Sequence, residues 1–237
     1  MTAKPDYGID APGVIRNLAL CGFAILICRL FTPVIKIWPL AITDFEWPGI
    51  SILLTAVLML LYSKVGKMRH RDRMVRMAGL KGDEAVLDVG TGRGLLLIAA
   101  AKKLTTGHAV GIDIWKAADL GGNLREKTES NLELEGVAQR CELRDEPAQK
   151  MSFANGSFDV VLSNMCLHNI ATSAERYQAC MEIVRVLKPG GVALISDFKN
   201  TGSYARAFRQ AGLTVSRKFY LLDTFFPVAI VLAKKAS

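Results

Sequence analysis

The sequence predicts an α/β fold, in which a seven-stranded, largely parallel sheet is covered by helices and is preceded by two transmembrane helices. Three observations support this fold class. Short apolar runs alternate with helical stretches after residue 80, a glycine-rich turn follows the first of these runs, and two long apolar segments come before them. Alternation of strands and helices is typical of a parallel sheet with both faces covered.

Residues 1–65 hold two apolar segments that we interpret as a membrane hairpin, with helices over about residues 14–35 and 47–63. Residues 18–35 are apolar apart from Arg29, and residues 48–62 carry no charge. A membrane span usually needs roughly 20 apolar residues, so both segments are slightly short or interrupted. The mean hydropathy of the chain, +0.25, favours a membrane hairpin over a hairpin buried in a soluble protein.

The connection between the two segments has features of a membrane interface. Three aromatic residues flank it, as interfacial aromatics do: Trp38, Phe45 and Trp47. Arg29 would be costly within the bilayer unless it snorkels or meets an acid. Asp44 and Glu46 are available in the connection, but snorkelling is the simpler account.

Basic residues crowd behind the second segment, in a predicted linker helix over residues 66–80. Six of them are opposed only by Asp72: Lys64, Lys67, Arg69, Arg71, Arg73 and Arg76. They provide a net +5 of the formal +8 of the chain. The positive-inside rule therefore predicts that the N-terminus and the domain after the linker are cytoplasmic. We expect this cluster to contact anionic headgroups rather than nucleic acid.

The five cysteines and three histidines of the chain show no C-x-x-C pairing and no metal-ligand spacing. Two of the cysteines, Cys21 and Cys28, lie in the first apolar segment. We therefore predict reduced cysteines, with neither a disulfide nor a metal site.

Residues 86–94, Val-Leu-Asp-Val-Gly-Thr-Gly-Arg-Gly, form the most informative motif of the chain. Its apolar start predicts a buried strand, and residues 95–104 predict a helix. Gly90, Gly92 and Gly94 allow a sharp turn and a close backbone approach to a ligand, although their spacing is not the G-x-G-x-x-G of dinucleotide folds. Asp113 ends the next strand about twenty residues on, where an acidic side chain can accept both ribose hydroxyls.

Two further motifs follow, Phe-Asp-Val-Val-Leu-Ser-Asn at residues 158–164 and Leu-Lys-Pro-Gly-Gly at 187–191. In this order the four motifs resemble those of the class I S-adenosylmethionine-dependent methyltransferases. The resemblance is greatest to the branch that methylates quinones and small molecules, and it implies a Rossmann-like methyltransferase domain over residues 81–237 with S-adenosylmethionine as cofactor. The candidate strands are 85–89, 109–113, 140–144, 158–163, 191–197, 213–220 and 228–234, of which the last two are expected to pair antiparallel.

The resemblance implies cofactor-binding roles at the carboxyl ends of the strands. Asp88 should orient the glycine turn and hold the methionine ammonium, Asp113 should bind the ribose diol, and Ile114 or Trp115 should pack on the adenine. The acid that usually contacts the adenine amino group has no direct counterpart, because its position falls near Pro147; Asp145 or Glu146 would serve if the loop shifts. The predicted cofactor residues are Asp88, Gly90, Thr91, Gly92, Gly94, Asp113, Ile114, Trp115, Asp145 and Asn164.

Three residues after the fourth and fifth strands are candidate catalytic residues: Asn164, His168 and Asp197. Methyl transfer depends strongly on holding the acceptor in line with the methyl group. His168 can take a proton near neutral pH, or it is a hydrogen-bonded structural residue. Asp197 is suited to a cationic acceptor.

The acceptor class is narrowed by absences from the sequence. Ser-Asn-Met-Cys at residues 163–166 replaces the Asn/Asp-Pro-Pro-aromatic stretch of enzymes that methylate adenine amines, and the paired-glutamate loop of protein arginine methyltransferases is missing. We favour a small nitrogenous acceptor, an amine or imidazole, because residues 100–237 show no long amphipathic loop for a lipid tail. The alternatives are a membrane quinone or lipid headgroup, and a non-catalytic membrane scaffold with a vestigial cofactor site.

Three smaller expectations concern regions around the motifs. Gly22 and Ala24 permit close helix approach, which favours a homo-oligomer formed through the apolar segments. Because all four motifs lie downstream, deletion of residues 1–63 should leave cofactor binding intact. The loop at residues 121–123 is either a lid over the ribose site or, as we favour, an ordinary surface loop.

Overall fold

The computed structural model describes residues 4–32, 35–37, 40–42, 46–116, 122–222 and 224–237. The strands are β1 (Ile35–Ile37), β2 (Leu40–Ile42), β3 (Ala85–Val89), β4 (His108–Asp113), β5 (Cys141–Asp145), β6 (Phe158–Asn164), β7 (Leu187–Asp197), β8 (Thr214–Tyr220) and β9 (Val228–Lys234). The α-helices are α1 (Pro12–Phe31), α2 (Glu46–Leu61), α3 (Lys67–Ala78), α4 (Leu95–Ala101), α5 (Arg125–Leu134), α6 (Ser173–Val186) and α7 (Thr201–Gln210).

Strands β3 to β9 form one sheet in the order β5-β4-β3-β6-β7-β9-β8. Neighbouring strands pair in parallel from β5 to β7, and β9 pairs antiparallel with both β7 and β8. The predicted seven-stranded sheet with an antiparallel ending is thereby confirmed. β7 begins at Leu187 rather than at residue 191, because Leu187 already pairs with Phe158 across a register shift.

The centre of the sheet is buried on both faces. Every residue of β3 is buried, since α6 and α7 supply apolar side chains to the core on one face and α3 and α4 supply them on the other. The chain leaves β3 for β4 on one side and later returns to add β6 on the other side. A crevice at such a switch point, beyond the carboxyl ends of the strands, is the usual ligand site of an open α/β sheet.

Helices α1 and α2 pack together as a hairpin whose connection contains the small antiparallel pair β1–β2. α1 ends at Phe31, four residues before the predicted end, because Thr32 precedes a proline and takes a non-helical conformation (φ −134°, ψ 82°). Gly22 is buried against Leu53 and Gly49 of α2, so this small residue serves packing within the hairpin. Self-association through the hairpin stays a prediction.

The connection side of the hairpin holds an ion pair. Nε of Arg29, in the last turn of α1, donates to Oε2 of Glu46 at the start of α2 over 2.8 Å. Pairing with an acid therefore replaces the snorkelling that we expected. Trp47 is exposed to 64%, whereas Trp38, Asp44 and Phe45 lie outside the described residues.

One long helical segment joins the hairpin to the sheet. α2 continues through a single π-helical turn, Tyr62–Gly66, directly into α3. α3 packs on the sheet beside α4 and buries Lys67, His70, Met74 and Val75. Lys67, with only 2% of its surface exposed, therefore does not face lipid headgroups, in contrast to our expectation for the basic cluster.

Candidate active site

The glycine-rich turn after β3 is held by its neighbours on both sides. The backbone N–H groups of Gly90 and Thr91 donate to the carbonyl of Ile112 on β4, over 2.8 and 3.0 Å. Oδ2 of Asp88 accepts hydrogen bonds from the Thr91 hydroxyl (2.8 Å) and from the backbone N–H of Leu97 in α4 (3.0 Å). Asp88 thus fixes the turn between its strand and the following helix, as expected.

Asp113, at the end of β4, is tied to the same turn. Its Oδ2 accepts the backbone N–H of Gly92 over 2.8 Å, and its Oδ1 accepts the N–H of Trp115 over 2.7 Å. Oδ1 also receives a long contact of 3.4 Å from Nδ2 of Asn123. A carboxylate oxygen can accept more than one hydrogen bond, and Asp113 lines a cavity, so its position is compatible with a ligand that carries a diol.

Burial raises the pKa of Asp88 to about 7, and the negative charge of the nearby Asp113 acts in the same direction. Two carboxylates therefore lie at one end of the turn, one of them held where its ionisation is costly. A ligand that brings a positive charge to Asp88 and hydroxyl donors to Asp113 would satisfy both groups.

These residues line one cavity at the carboxyl ends of β3, β4 and β6. Seven of the ten predicted cofactor residues line it: Asp88, Gly90, Thr91, Gly92, Asp113, Ile114 and Asn164. Asn123 lines it as well and is only 3% exposed, so this residue belongs to the cavity wall rather than to an ordinary surface loop. Gly121 lies outside the described residues.

Three predicted cofactor residues do not line the cavity. Gly94 precedes α4 as its cap. The indole Nε1 of Trp115 donates to Oδ1 of Asp145 over 2.7 Å, and Arg125 donates to the same oxygen over 2.8 Å. Asp145 is therefore engaged at the surface, and its neighbours Glu146 and Pro147 line the cavity instead. Of the two candidates for the adenine face, Ile114 lies in the cavity wall.

The candidate catalytic residues are separated by the fold. Asn164 lines the cavity, and its buried Oδ1 has no hydrogen-bond partner within the described part of the chain. Nδ1 of His168 lies 2.8 Å from Oδ1 of Asp197, and neither residue lines the cavity. Asp197 is fully buried, and its oxygens accept the N–H groups of His168 and Phe198 and the hydroxyl of Tyr204. Asp197 therefore serves internal partners, not a cationic acceptor in the cavity.

Residues 4–11, which we call the N-terminal strap, complete the cavity wall. Tyr7 and Asp10 of the strap line the cavity together with Lys67 of α3. Nζ of Lys67 donates to the carbonyls of Tyr7 (2.8 Å) and Gly8 (2.6 Å) and to Oδ2 of Asp10 (3.1 Å). Burial lowers the pKa of Lys67, while Asp10 opposes this effect. The lysine thus fastens the strap over the catalytic edge of the sheet.

The strap is also bonded to the far side of the glycine turn. The backbone N–H and carbonyl of Asp6 exchange hydrogen bonds of 2.9 Å with the side chain of Asn131 on α5. The carboxylate of Asp6 pairs with Arg93 of the glycine motif. Because the strap contributes to the cavity, deletion of residues 1–63 would remove part of the site, which corrects our expectation that the deletion is neutral.

The strap and Lys67 were missed by sequence reasoning because their long-range contacts span 53–128 residues. No local motif marks Tyr7 or Asp10, and Lys67 is one of several basic residues in its helix. The available signal was the position of Lys67 on the apolar face of the linker helix, next to His70 and Met74 in helical spacing.

Comparison with known proteins agrees with the site. Residues 87–195 match the family described as "Methyltransferase domain". A ribosomal protein L11 methyltransferase from Syntrophotalea carbinolica is 33% identical over 135 residues, or 56% of this chain and 39% of that protein. The ubiquinone/menaquinone biosynthesis C-methyltransferase UbiE from Pseudomonas fluorescens is 30% identical over 125 residues, or 52% and 45% of the two chains. In three of the curated relatives that it matches, the chain spans between 30% and 56% of the relative's length.

A solved structure shares the fold. The S-adenosylmethionine-dependent methyltransferase from Aquifex aeolicus superposes with a TM-score of 0.56 at 18% identity, covering 69% of this chain and 88% of that one. The fold, the glycine turn with its two carboxylates and the family match together define an S-adenosylmethionine-dependent methyltransferase domain. The predicted enzyme class and cofactor are thereby confirmed.

The raised pKa of Asp88 predicts how cofactor affinity depends on pH. A bound ammonium favours ionised Asp88, so below about pH 7 binding must also remove a proton, and affinity should fall by up to about tenfold per pH unit. Calorimetry between about pH 5.5 and pH 7 should show the fall and, in buffers of different ionisation enthalpy, release of close to one proton.

Asp88→Asn is the matched control for this pH dependence. Its affinity should be lower throughout, and its slope over the same range should be nearly flat, because asparagine does not titrate. Equal slopes in the two proteins would assign the dependence to another group.

Proposed function

We propose that this protein is a membrane-anchored methyltransferase that transfers the methyl group of S-adenosylmethionine to an amphiphilic acceptor, a quinol-type ring or a lipid headgroup, at the cytoplasmic membrane surface. One observation carries the proposal. The helical segment that begins with the apolar α2 continues without a break into α3, and α3 supplies Lys67 to the cavity wall. The proposed anchor and one residue of the cavity wall therefore belong to the same continuous helical segment.

The surface of the hairpin supports anchoring. Apolar side chains on both helices are exposed, including Leu20 (62%), Phe23 (56%), Leu30 (79%) and Leu54 (55%). α1, and the continuous helix that begins with α2, each contain an apolar stretch that is long enough to cross a membrane. A hairpin in the core of a soluble protein would bury these side chains, since large exposed apolar patches mark interaction or membrane surfaces.

Two observations support an orientation with both ends of the hairpin on the cytoplasmic side. The N-terminal strap is bonded to the methyltransferase domain, so the residues before α1 and after α2 lie on one side. The basic residues of α3 favour the cytoplasmic side, where S-adenosylmethionine is available.

Our preference for an amphiphilic acceptor over a small cationic amine depends on the surroundings of Asp197 and on one relative. Asp197, the carboxylate that we expected to bind a cation, is taken up by internal hydrogen bonds. Apart from Asp88 and Asp113, the charged side chains of the cavity lining are mixed in sign: Lys67, Arg93 and Lys116 stand beside Asp10, Glu146 and Glu175. The relative from Pseudomonas fluorescens is named for ubiquinone and menaquinone biosynthesis. A quinol in the adjacent bilayer could place its ring in this site while its tail stays among the lipids.

Bound S-adenosylmethionine supplies an electrophilic methyl group on a sulfonium. The residues of this chain provide binding and orientation. Asp88 and Asp113 hold charged and hydroxyl groups, and the glycine turn allows close approach of the backbone. Asn164 offers its unpartnered Oδ1 to a hydroxyl or amine donor on the acceptor. Asp10, which lines the cavity and is bonded to Lys67 and Ser63, is a second hydrogen-bond acceptor facing the same space.

The first test concerns the anchor. The full chain should remain in the membrane pellet after alkaline carbonate extraction. Phe23→Lys/Ile27→Lys changes two exposed positions of α1 and should release the protein, because a charged residue costs about 2.5–3.5 kcal/mol at the centre of a span. Cofactor affinity in detergent should be unchanged in this variant, since neither residue touches the cavity. Release of the unaltered protein by carbonate would contradict the proposal.

The second test concerns the acceptor. Purified protein in nanodiscs is incubated with methyl-labelled S-adenosylmethionine and, in separate reactions, quinols, phospholipids, polar amines or imidazoles. Label is expected in the organic-soluble products. Asn164→Ala should raise KM or lower kcat for the acceptor by about tenfold, consistent with one lost hydrogen bond of about 0.5–1.5 kcal/mol. Label only in the polar amines or imidazoles would contradict this proposal and favour the small nitrogenous acceptor. Cofactor binding without methyl transfer to any of these compounds would favour the non-catalytic scaffold.

A further inference from the structure

The loop that joins β8 to β9, residues 221–227, lies at the catalytic edge of the sheet. Tyr220 pairs with Val228 at the loop end of this hairpin, and Ala229 pairs with Asp197 at the carboxyl end of β7. Asp223 is outside the described residues, and the rest of the loop is described. We refer to this segment as the 221–227 loop.

The loop packs against the base of the membrane hairpin. The rings of Phe226 and Tyr62 lie 6.1 Å apart between centroids. The carbonyl oxygen of Thr224 would lie 2.5 Å from a Cβ at position 66, so only glycine fits in the π-helical turn at this point. Gly66 follows the end of α2 by five residues, or about 8 Å along a helix. The loop therefore contacts the long helix within about 8 Å of the residue at which its apolar part, α2, ends.

The tip of the loop exposes apolar side chains. Leu222 is 91% exposed and Leu221 is 55% exposed, and Phe219 at the end of β8 is 68% exposed. The loop is nevertheless well held. Thr224 is fully buried, and its hydroxyl lies 2.7 Å from the carbonyl oxygen of Phe226 and 3.3 Å from that of Leu221. Two adjacent exposed leucines on a fixed loop are suited to contact with an apolar environment.

Several cationic side chains contact aromatic rings of the loop and its neighbours, while the sequence of the loop itself carries one acid, Asp223. The guanidinium of Arg217 lies 4.7 Å from the ring centroid of Phe219, and that of Arg69 lies 5.8 Å from the ring of Phe225. Lys199 lies 5.2 Å from the ring of Phe198 on the neighbouring loop. Lys218 adds a further exposed charge. Apolar side chains framed by basic ones are the usual composition of a surface that enters the headgroup region of an anionic bilayer.

We propose that the 221–227 loop docks on the anionic phospholipid surface, with Leu221 and Leu222 inserted among the lipids, as a second membrane contact beside the hairpin. This inference rests on the proposed membrane anchoring. An aromatic contact leads from the loop to the catalytic edge, since the ring of Phe198 lies 5.6 Å from that of Phe226 and 4.7 Å from that of His168. Docking would thus hold the catalytic edge against the bilayer. It also supplies the lipid-facing loop that we did not find in the sequence.

The test places a fluorescent reporter on the loop of the full-length protein in anionic vesicles containing brominated phospholipids. Leu222→Trp is compared with Leu134→Trp, a control on the surface of α5 that is 43% exposed, and the signal of the native tryptophans is subtracted from both. The tryptophan at 222 should be quenched strongly by brominated lipid and little by acrylamide, and the control should show the reverse. Arg217→Glu/Lys218→Glu in the Leu222→Trp background should lower lipid quenching at least twofold.

Each other outcome has a distinct meaning. Equal lipid quenching at positions 222 and 134 would overturn loop docking. Protection of the tryptophan at 222 from acrylamide without lipid quenching would also overturn it and would indicate a protein or a second copy as the occupant. Carbonate extraction of the same vesicles separates the two proposals. If the protein stays bound but shows no lipid quenching at position 222, only the docking of the loop is refuted. If carbonate strips the protein from the vesicles, the membrane anchoring is refuted.

Discussion

Gly90→Ala is expected to abolish measurable S-adenosylmethionine binding and to lower thermal stability. Gly90 has φ +72°, and a Cβ there would collide with Sγ of Cys166 and lie 2.5 Å from its Cβ. The left-handed conformation costs an L-residue about 1–2 kcal/mol, and overpacking adds about 1–3 kcal/mol. The collision must displace either the turn that lines the cavity or the segment after β6, which lines it from the other side. Calorimetry and thermal unfolding measure the two effects.

Two variants separate strain from collision. Gly136→Ala is the matched control, because Gly136 also has a left-handed conformation (φ +66°) and a Cβ there meets nothing within 4 Å. It should lose stability by the backbone cost alone and keep its cofactor affinity. Gly90→Ala/Cys166→Gly removes the colliding side chain and should recover part of the affinity. If the double variant is as defective as Gly90→Ala, contact with Cys166 does not explain the effect.

The sequence predicts those parts of the site that lie directly at the carboxyl ends of strands. Parallel strands bring their carboxyl ends to one edge, so Asp88, Asp113 and Asn164 meet even though about 25 and 50 residues separate them along the chain. The glycine turn is local and is therefore visible in one short motif. The fold supports these assignments because the cavity is lined by all three residues.

The parts that the sequence does not predict depend on long-range contacts or on side-chain direction. Tyr7 and Asp10 reach the cavity only because Lys67 holds the strap, and no periodicity reports such a pairing. Asp145 and Glu146 are adjacent, and the end of β5 turns the first toward Trp115 and Arg125. For Asp197, the sequence shows an acid at a strand end but not the internal donors that occupy it.

Asp113→Ala is expected to lower the affinity for S-adenosylmethionine at least tenfold while the protein stays folded. The variant loses two hydrogen bonds that the ribose hydroxyls would donate to the charged carboxylate, each worth about 1.5–3 kcal/mol. It also loses the bond that Oδ2 of Asp113 accepts from Gly92. Calorimetric titration gives the affinity, and thermal unfolding checks the fold. Asn123→Ala removes the 3.4 Å contact to Oδ1 and shortens one side chain of the cavity wall, so it should lower affinity by less than Asp113→Ala does.

A comparison of ligands decides between direct binding of the ribose and support of the glycine turn. The wild-type protein should bind S-adenosylhomocysteine much more tightly than its 2′,3′-dideoxyribose analogue, because only the former offers hydroxyl donors to Asp113. In Asp113→Ala the two ligands should bind almost equally, since the group that distinguishes them is gone. If Asp113 acted only through its bond to Gly92, the variant would lose affinity for both ligands by the same factor and would keep the preference for the diol. If the variant keeps its preference for the diol, Asp113 does not bind the ribose and serves only to support the glycine turn.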